Sequence, residues 1–318
     1  MTFSFGKNVK QIGKVFLLDA QHDGKTQTIG VYVVPIGQGK FILIETGPGS
    51  TLDSVIAGIG AAGFELEGLH SILVTHIHLD HAGAAGALVS MTGAPVVVHE
   101  RGGQHLNNPT KLLASASRIY GDQMNRLWGR MVPVPADRIR TVSGGETLLL
   151  GQLKIRVICS PGHASHHVTY LLDDGSLFCG DALGIRLSGF PVIRPALPPP
   201  EVDIELWDKT LEKILSFSPK ALLLTHFGYV NNVEEHIEGV KDQNHLWAQE
   251  ILNGLKAGET KYQLERRVHD LSSRDLTKAG ADHQLAENYH ASSNAEMTVM
   301  GLSRYWRKRC AELGEGGP

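Results

Sequence analysis

Residues 76–81 read His-Ile-His-Leu-Asp-His, four potential metal ligands in six positions, directly after the apolar run at residues 71–74. A short β-branched run reads as a buried strand, and the small apolar residues 83–89 read as the start of a helix. The motif therefore occupies a strand-to-helix turn, where side chains can converge without distorting regular structure. Neutral imidazole and carboxylate are the natural ligands of zinc and similar first-row metals, so this spacing points to a metal site.

Further candidates stand where other strand-like runs end. Runs at residues 15–18, 29–35 and 41–45, separated by turns, read as an antiparallel meander, and 94–99 as another strand. Later runs fall at 147–150, 153–159, 168–172, 177–179 and 221–224. Three of them lead into Gly162-His163, Gly180-Asp181 and Thr225-His226. Strand-end loops of a layered α/β protein collect on one edge, so these residues can share one site despite their separation.

The order His-X-His-X-Asp-His, Gly-His, Gly-Asp, Thr-His-Phe-Gly resembles the metallo-β-lactamase-fold superfamily over about residues 15–228, near its glyoxalase II and lactonase branches. Glu45-Thr46-Gly47 is similar to the family's Asp-Thr-Gly turn, with a longer support side chain. The resemblance implies an α/β fold, a four-layer αββα sandwich, here with a C-terminal helical extension. It implies two divalent metal ions, zinc first, with iron or manganese as alternatives. His76, His78 and His163 would hold one ion, Asp80, His81 and His226 the other, and Asp181 would bridge them. The set departs from true zinc β-lactamases, which use a cysteine in the second site; Cys179, near Asp181, reads as a core thiol. The implied function is hydrolysis of a small ester, thioester, lactone or phosphoester by a metal-bridging hydroxide, with Asp80 orienting it and receiving its proton. The alternative is an iron-dependent oxidoreductase resembling persulfide dioxygenases.

The substrate side is read from residues outside the motif. An apolar stripe across 106–131 (Leu113, Tyr120, Met124, Leu127, Trp128, Met131) fits one or two helices, as core packing or as a lid. Tyr120 on that element, and Arg186, Phe190 and Arg194 in the Gly- and Pro-rich loop 182–200, are candidate substrate contacts. His99, His166 and His167 read as supporting residues, because ligating imidazoles need partners to fix their tautomers. Histidines of the tail, His236 among them, read as surface residues.

A 318-residue chain has room for a catalytic domain, expected at 1–230, and a helical extension at 231–318. Asn232 three residues before Glu235 fits a capping box opening that extension. Met297, Met300, Leu302, Tyr305 and Trp306 offer apolar area for a pocket wall or a homodimer interface. With 42% hydrophobic and 20% charged residues the chain reads as soluble and globular. A net charge of -3 argues against nucleic acid as a general partner, and no run of ~18 apolar residues predicts a membrane span. Three unframed cysteines and no signal-like start fit a cytoplasmic enzyme of a small-molecule substrate.

Overall fold

The computed structural model describes residues 8–314, so the outermost ends of the expected domains 1–230 and 231–318 lie outside the described residues. The first of two sheets carries seven strands in chain order: β1 (Val9–Ile12), β2 (Val15–Asp19), β3 (Gly30–Gly37), β4 (Lys40–Ile44), β5 (Leu69–Leu73), β6 (Val96–His99) and β7 (Ile139–Val142). β1 to β4 pair antiparallel, and β4 to β7 pair parallel through longer crossovers. The second sheet holds β8 (Thr147–Leu150), β9 (Leu153–Cys159), β10 (Val168–Leu172), β11 (Ser176–Gly180), β12 (Ala221–Leu224) and β13 (Gly228–Val230). Only β11 and β12 pair parallel there, and the helix Ile204–Ser216 fills their crossover.

Strand alternation sorts the core into three layers. Leu17, Tyr32, Val34, Ile42, Ile44, Leu73 and Val97 meet Ile155, Val157, Tyr170, Phe178 and Leu223 between the sheets. Their neighbours of opposite parity (Leu18, Val31, Val33, Phe41, Leu43, Ile72, Val96, Val98) pack on Val55, Ile59, Leu88 and Val89 of outer helices. Across the second sheet, Ile158, Leu177, Leu222 and Leu224 pack on Trp207, Leu211, Ile237 and Trp247. Strands buried on both faces read as continuous apolar runs, and the resulting arrangement is the four-layer αββα sandwich.

Beyond β13 the helices Val233–Lys256, Lys261–Lys278, His283–Ser292 and Ala295–Leu313 follow. The last two part at Asn294, whose side chain accepts from Met297 N–H as an N-cap. The expected capping box at Asn232 does not form. The Asn232 amide donates to Glu235 Oε2 at 3.0 Å instead of accepting from the helix, whereas Thr260 and Gln263 form a genuine box. Leu302 and Tyr305 are buried within the protein, and Trp306 Nε1 donates to Ala248 O at 2.7 Å. None of the described helices is long and apolar enough to cross a membrane.

His236 is not a surface residue: it is 1% exposed, and its Nε2–H donates to Leu183 O at 2.9 Å. Burial pushes its pKa down to about 4. A depressed imidazole contributes stability that is full above its unfolded pKa near 6.5 and is lost as pH falls through 4. His236→Gln is therefore expected to remove about 3 kcal/mol of acid-induced stability loss between those pH values. Denaturant unfolding of the two proteins at pH 7 and pH 4 measures it; parallel losses would sink the prediction.

Candidate metal centre

β5 ends at the motif, placing His76 and His78 in the turn and Asp80 and His81 on the short helix Leu79–Ala82. His163 follows β9, Asp181 follows β11 and His226 follows β12, three strands that run in one direction. Their ends therefore share one edge with the end of β5. The glycine before two of these residues has a steric cause. A Cβ on Gly162 (φ +137°) would stand 2.4 Å from Trp207 Cβ. One on Gly180 (φ +50°) would stand 2.4 Å from Thr75 Oγ1 and 2.6 Å from His167 Nε2.

All seven expected ligands come together as two adjoining groups. In the first, His78 Nδ1 lies 2.9 Å from His76 Nε2 and 3.0 Å from His163 Nε2, which are 3.2 Å from each other. Asp181 Oδ2 stands 3.4 Å from His163 Nε2. In the second, Asp80 Oδ2 is 3.3 Å from His226 Nε2 and 3.6 Å from His81 Nε2. Asp181 Oδ1 reaches this group too, at 3.2 Å from His81 Nε2 and 3.4 Å from His226 Nε2. Each group offers ligand atoms lying within 4.8 Å of one another, a spacing that could hold a metal ion.

The partners behind the rings assign four tautomers. His163 Nδ1–H donates to Ala196 O at 2.8 Å and His226 Nδ1–H to Thr28 O at 2.7 Å. His81 Nδ1–H donates to Glu45 Oε1 at 3.0 Å. Thr75 gives its hydroxyl proton to Glu45 Oε1 at 2.5 Å and so accepts from His76 Nδ1 at 3.0 Å. All four Nε2 atoms then turn lone pairs inward. Lone pairs 3.2 Å apart, as between His76 and His163, repel unless a cation sits among them, and the fully buried His81 Nε2 and Asp181 Oδ1 lack any hydrogen-bond partner. The residues present fit divalent metal.

Electrostatics agree with that fit. Burial, then neighbouring histidines, push His76 and His78 well below the usual imidazole range, and burial lowers His163, which favours the neutral form that metal binding requires. Burial also opposes charge on Asp80 and Asp181, yet His81 and the other imidazoles outweigh it and hold both carboxyls below their ordinary range. For His81 and His226 burial is likewise outweighed, by Asp181 and Asp80, and both are raised.

Glu45 underlies the second group. It is wholly buried in left-handed backbone (φ +66°), with its carboxylate accepting from Thr75 N–H (3.2 Å), Thr75 hydroxyl, His81 and Thr225 Oγ1 (3.3 Å). The extra methylene of glutamate thus reaches three elements at once. His167 is a support and not a ligand: its Nδ1 pairs with Ser160 Oγ at 2.9 Å and its Nε2 accepts from Asp181 N–H at 3.1 Å. Thr28 and Ala196 escape sequence reasoning because they act through main-chain carbonyls, which carry no side-chain signal.

The 106–131 region forms the helices Thr110–Tyr120 and Met124–Leu127. Tyr120 meets the Trp128 ring edge-on at 5.0 Å, and Trp128 stacks on His22 at 5.2 Å. His22 Nε2–H and Ser50 Oγ–H both donate to Leu127 O, fastening this element beside the Glu45 turn. Burial raises the Tyr120 hydroxyl pKa, with the Asp80 carboxylate adding to it, which favours the protonated phenol. Arg186 donates from Nε to Phe190 O, and Phe190 lies against Tyr289 at 6.3 Å. Arg194 corrects the expectation of a substrate contact. It is 1% exposed, and its guanidinium is spent on Ser272, Asp275 and the Trp247 ring, partners that the sequence does not reveal.

Comparison with known proteins gives the same architecture. The sequence profile described as the Metallo-beta-lactamase superfamily matches residues 26–226. A metallo-beta-lactamase fold-containing protein of Sulfurisphaera tokodaii is 30% identical over 65% of this chain and 79% of its own length. A hydroxyacylglutathione hydrolase of Shewanella pealeana is 28% identical over 53% of this chain, which spans about half (48%) of that relative. The crystal structure of a metallo-beta-lactamase family protein from Thermus thermophilus superposes with a TM-score of 0.68 at 21% identity, over 94% of this chain and 95% of that one. Superfamily members are mostly hydrolases and typically bind divalent metals, often zinc. With its profile matched over more than half its length, the chain belongs to the metallo-β-lactamase superfamily.

Proposed function

We propose that the protein is a dinuclear metal-dependent hydrolase of a small ester, thioester, lactone or phosphoester. The observation that carries this reading is the convergence of seven side chains into two groups that share the Asp181 carboxylate. His76, His78 and His163 would hold one divalent ion, Asp80, His81 and His226 the other, and Asp181 both. Imidazole-rich donors with carboxylates suit zinc first. When bound, two such ions lower the pKa of a shared water towards neutrality and polarise a carbonyl or phosphoryl oxygen.

The chain's own residues do the rest. Asp80, about a fifth of whose side chain is exposed while its Oδ2 faces His226 and His81, orients the attacking water and takes its proton. Tyr120, kept protonated, would donate to the substrate from the lid side, and Arg186 and Phe190 are further candidate contacts from the 182–200 loop. The hydroxyacylglutathione hydrolases among the relatives place thioesters first in the order of testing. Metal quantification followed by a panel of thioester, ester, lactone and phosphodiester substrates is the test. Two equivalents of metal, and turnover abolished by chelation and by His76→Ala, are expected. Substoichiometric metal with hydrolysis untouched in His76→Ala would sink the reading, and iron with persulfide-dependent oxygen uptake would replace it.

A further inference from the structure

The segment 182–200, which leaves Asp181, touches both ligand groups. Its Ala196 carbonyl accepts His163 Nδ1–H at 2.8 Å, and Arg186 N–H donates to the His226 carbonyl at 2.5 Å. Between these points Ile185 and Arg194 exchange main-chain hydrogen bonds of 2.8 and 2.9 Å, closing the segment into a narrow loop. One loop therefore sets the ring of a ligand in the first group and the backbone of a ligand in the second.

The helical extension holds that loop from the other side. Tyr289, wholly buried on the helix His283–Ser292, accepts Leu187 N–H at 3.0 Å and donates to Val192 O at 2.7 Å. Arg194 donates to Ser272 O at 3.0 Å, and Ser293 Oγ donates to Pro195 O at 3.3 Å. A Cβ on Gly301 would fall 2.1 Å from Leu197 O, so the last helix also presses on the loop's main chain. Tyr289 bonds both flanks of the loop tip, more than a hundred residues along the chain from Leu187.

We propose that Tyr289 is a positioning residue for the metal centre: its hydroxyl fixes the 182–200 loop, and the loop fixes His163 and His226. The inference rests on the metal reading given above. It makes the helical extension part of the working site, although none of its described side chains belongs to either ligand group. Removing the hydroxyl leaves Leu187 N–H and Val192 O buried without a partner, so the loop must shift to re-solvate them.

The full chain loaded with cobalt(II) provides the test, because its visible spectrum reports ligand geometry and chelator competition reports affinity. Tyr289→Phe is expected to keep the wild-type circular dichroism, shift the cobalt bands and weaken cobalt retention at least ~10-fold. Unchanged bands and affinity would overturn the inference and leave the hydrolase reading standing. Wild-type protein that binds no cobalt would overturn both. Should Tyr289→Phe not fold, linkage gives a second measurement on the wild type. Cobalt is then expected to slow amide exchange at Leu187, which holds no ligand, at least ~10-fold; an unchanged rate there overturns the inference.

Discussion

Asp181→Asn is expected to lower hydrolysis at least ~100-fold and to leave the protein with less than its full metal content. One carboxylate faces both ligand groups, Oδ2 towards His163 and Oδ1 towards His81 and His226. The amide keeps the shape but removes the charge and turns an N–H₂ towards imidazole lone pairs, so one group or the other loses a donor. The main chain has little reason to move, since Asp181 N–H still donates to His167 Nε2 and Gly180 still makes the turn. Metal content, turnover and circular dichroism on one preparation separate these effects. Full metal at the wild-type rate would remove Asp181 from the shared position.

The second large effect lies at Glu45. Glu45→Ala strips an acceptor from Thr75 N–H, the Thr75 hydroxyl, His81 Nδ1–H and the Thr225 hydroxyl, all buried. Each unsatisfied buried group costs about 1–3 kcal/mol, a sum comparable with a whole domain's stability of about 5–15 kcal/mol, so insoluble or largely unfolded protein is expected. Glu45→Gln keeps one carbonyl oxygen and should fold. The His81 tautomer is then no longer held, and metal retention should fall about 10–100-fold. Thermal unfolding and chelator competition check the pair. A soluble Glu45→Ala protein with unaltered melting would show that the network contributes nothing.

The seven candidate ligands could be picked out of the sequence because each stands at or just beyond the end of an apolar run. Strands buried on both faces announce themselves, as at residues 41–44 and 221–224. The three strands the pattern misses, β1, β7 and β13, all lie at sheet edges. In β1 and β7 the composition is half polar, as in Ile139-Arg140-Thr141-Val142, and β13 is only three residues long, so no apolar run marks them. Arg194 and His236 misled for the opposite reason. A charged or polar side chain in a loop or helix reads as solvated unless its buried partners, here Ser272, Asp275 and the Leu183 carbonyl, are known.

The two sheets each supply part of both ligand groups. His76, His78, Asp80 and His81 follow β5 of the first sheet, while His163, Asp181 and His226 follow strands of the second. On the proposed assignment, a cation shared by His76 and His163 closes a loop of 87 residues. A covalent cross-link of that span would withdraw roughly 4–5 kcal/mol of conformational freedom from the unfolded chain. Metal capture then belongs late in folding, after the N-terminal and C-terminal halves have met, because neither half owns a complete site. A nascent chain would be unable to scavenge metal at full strength until its last ligand strand, β12, had been made and docked.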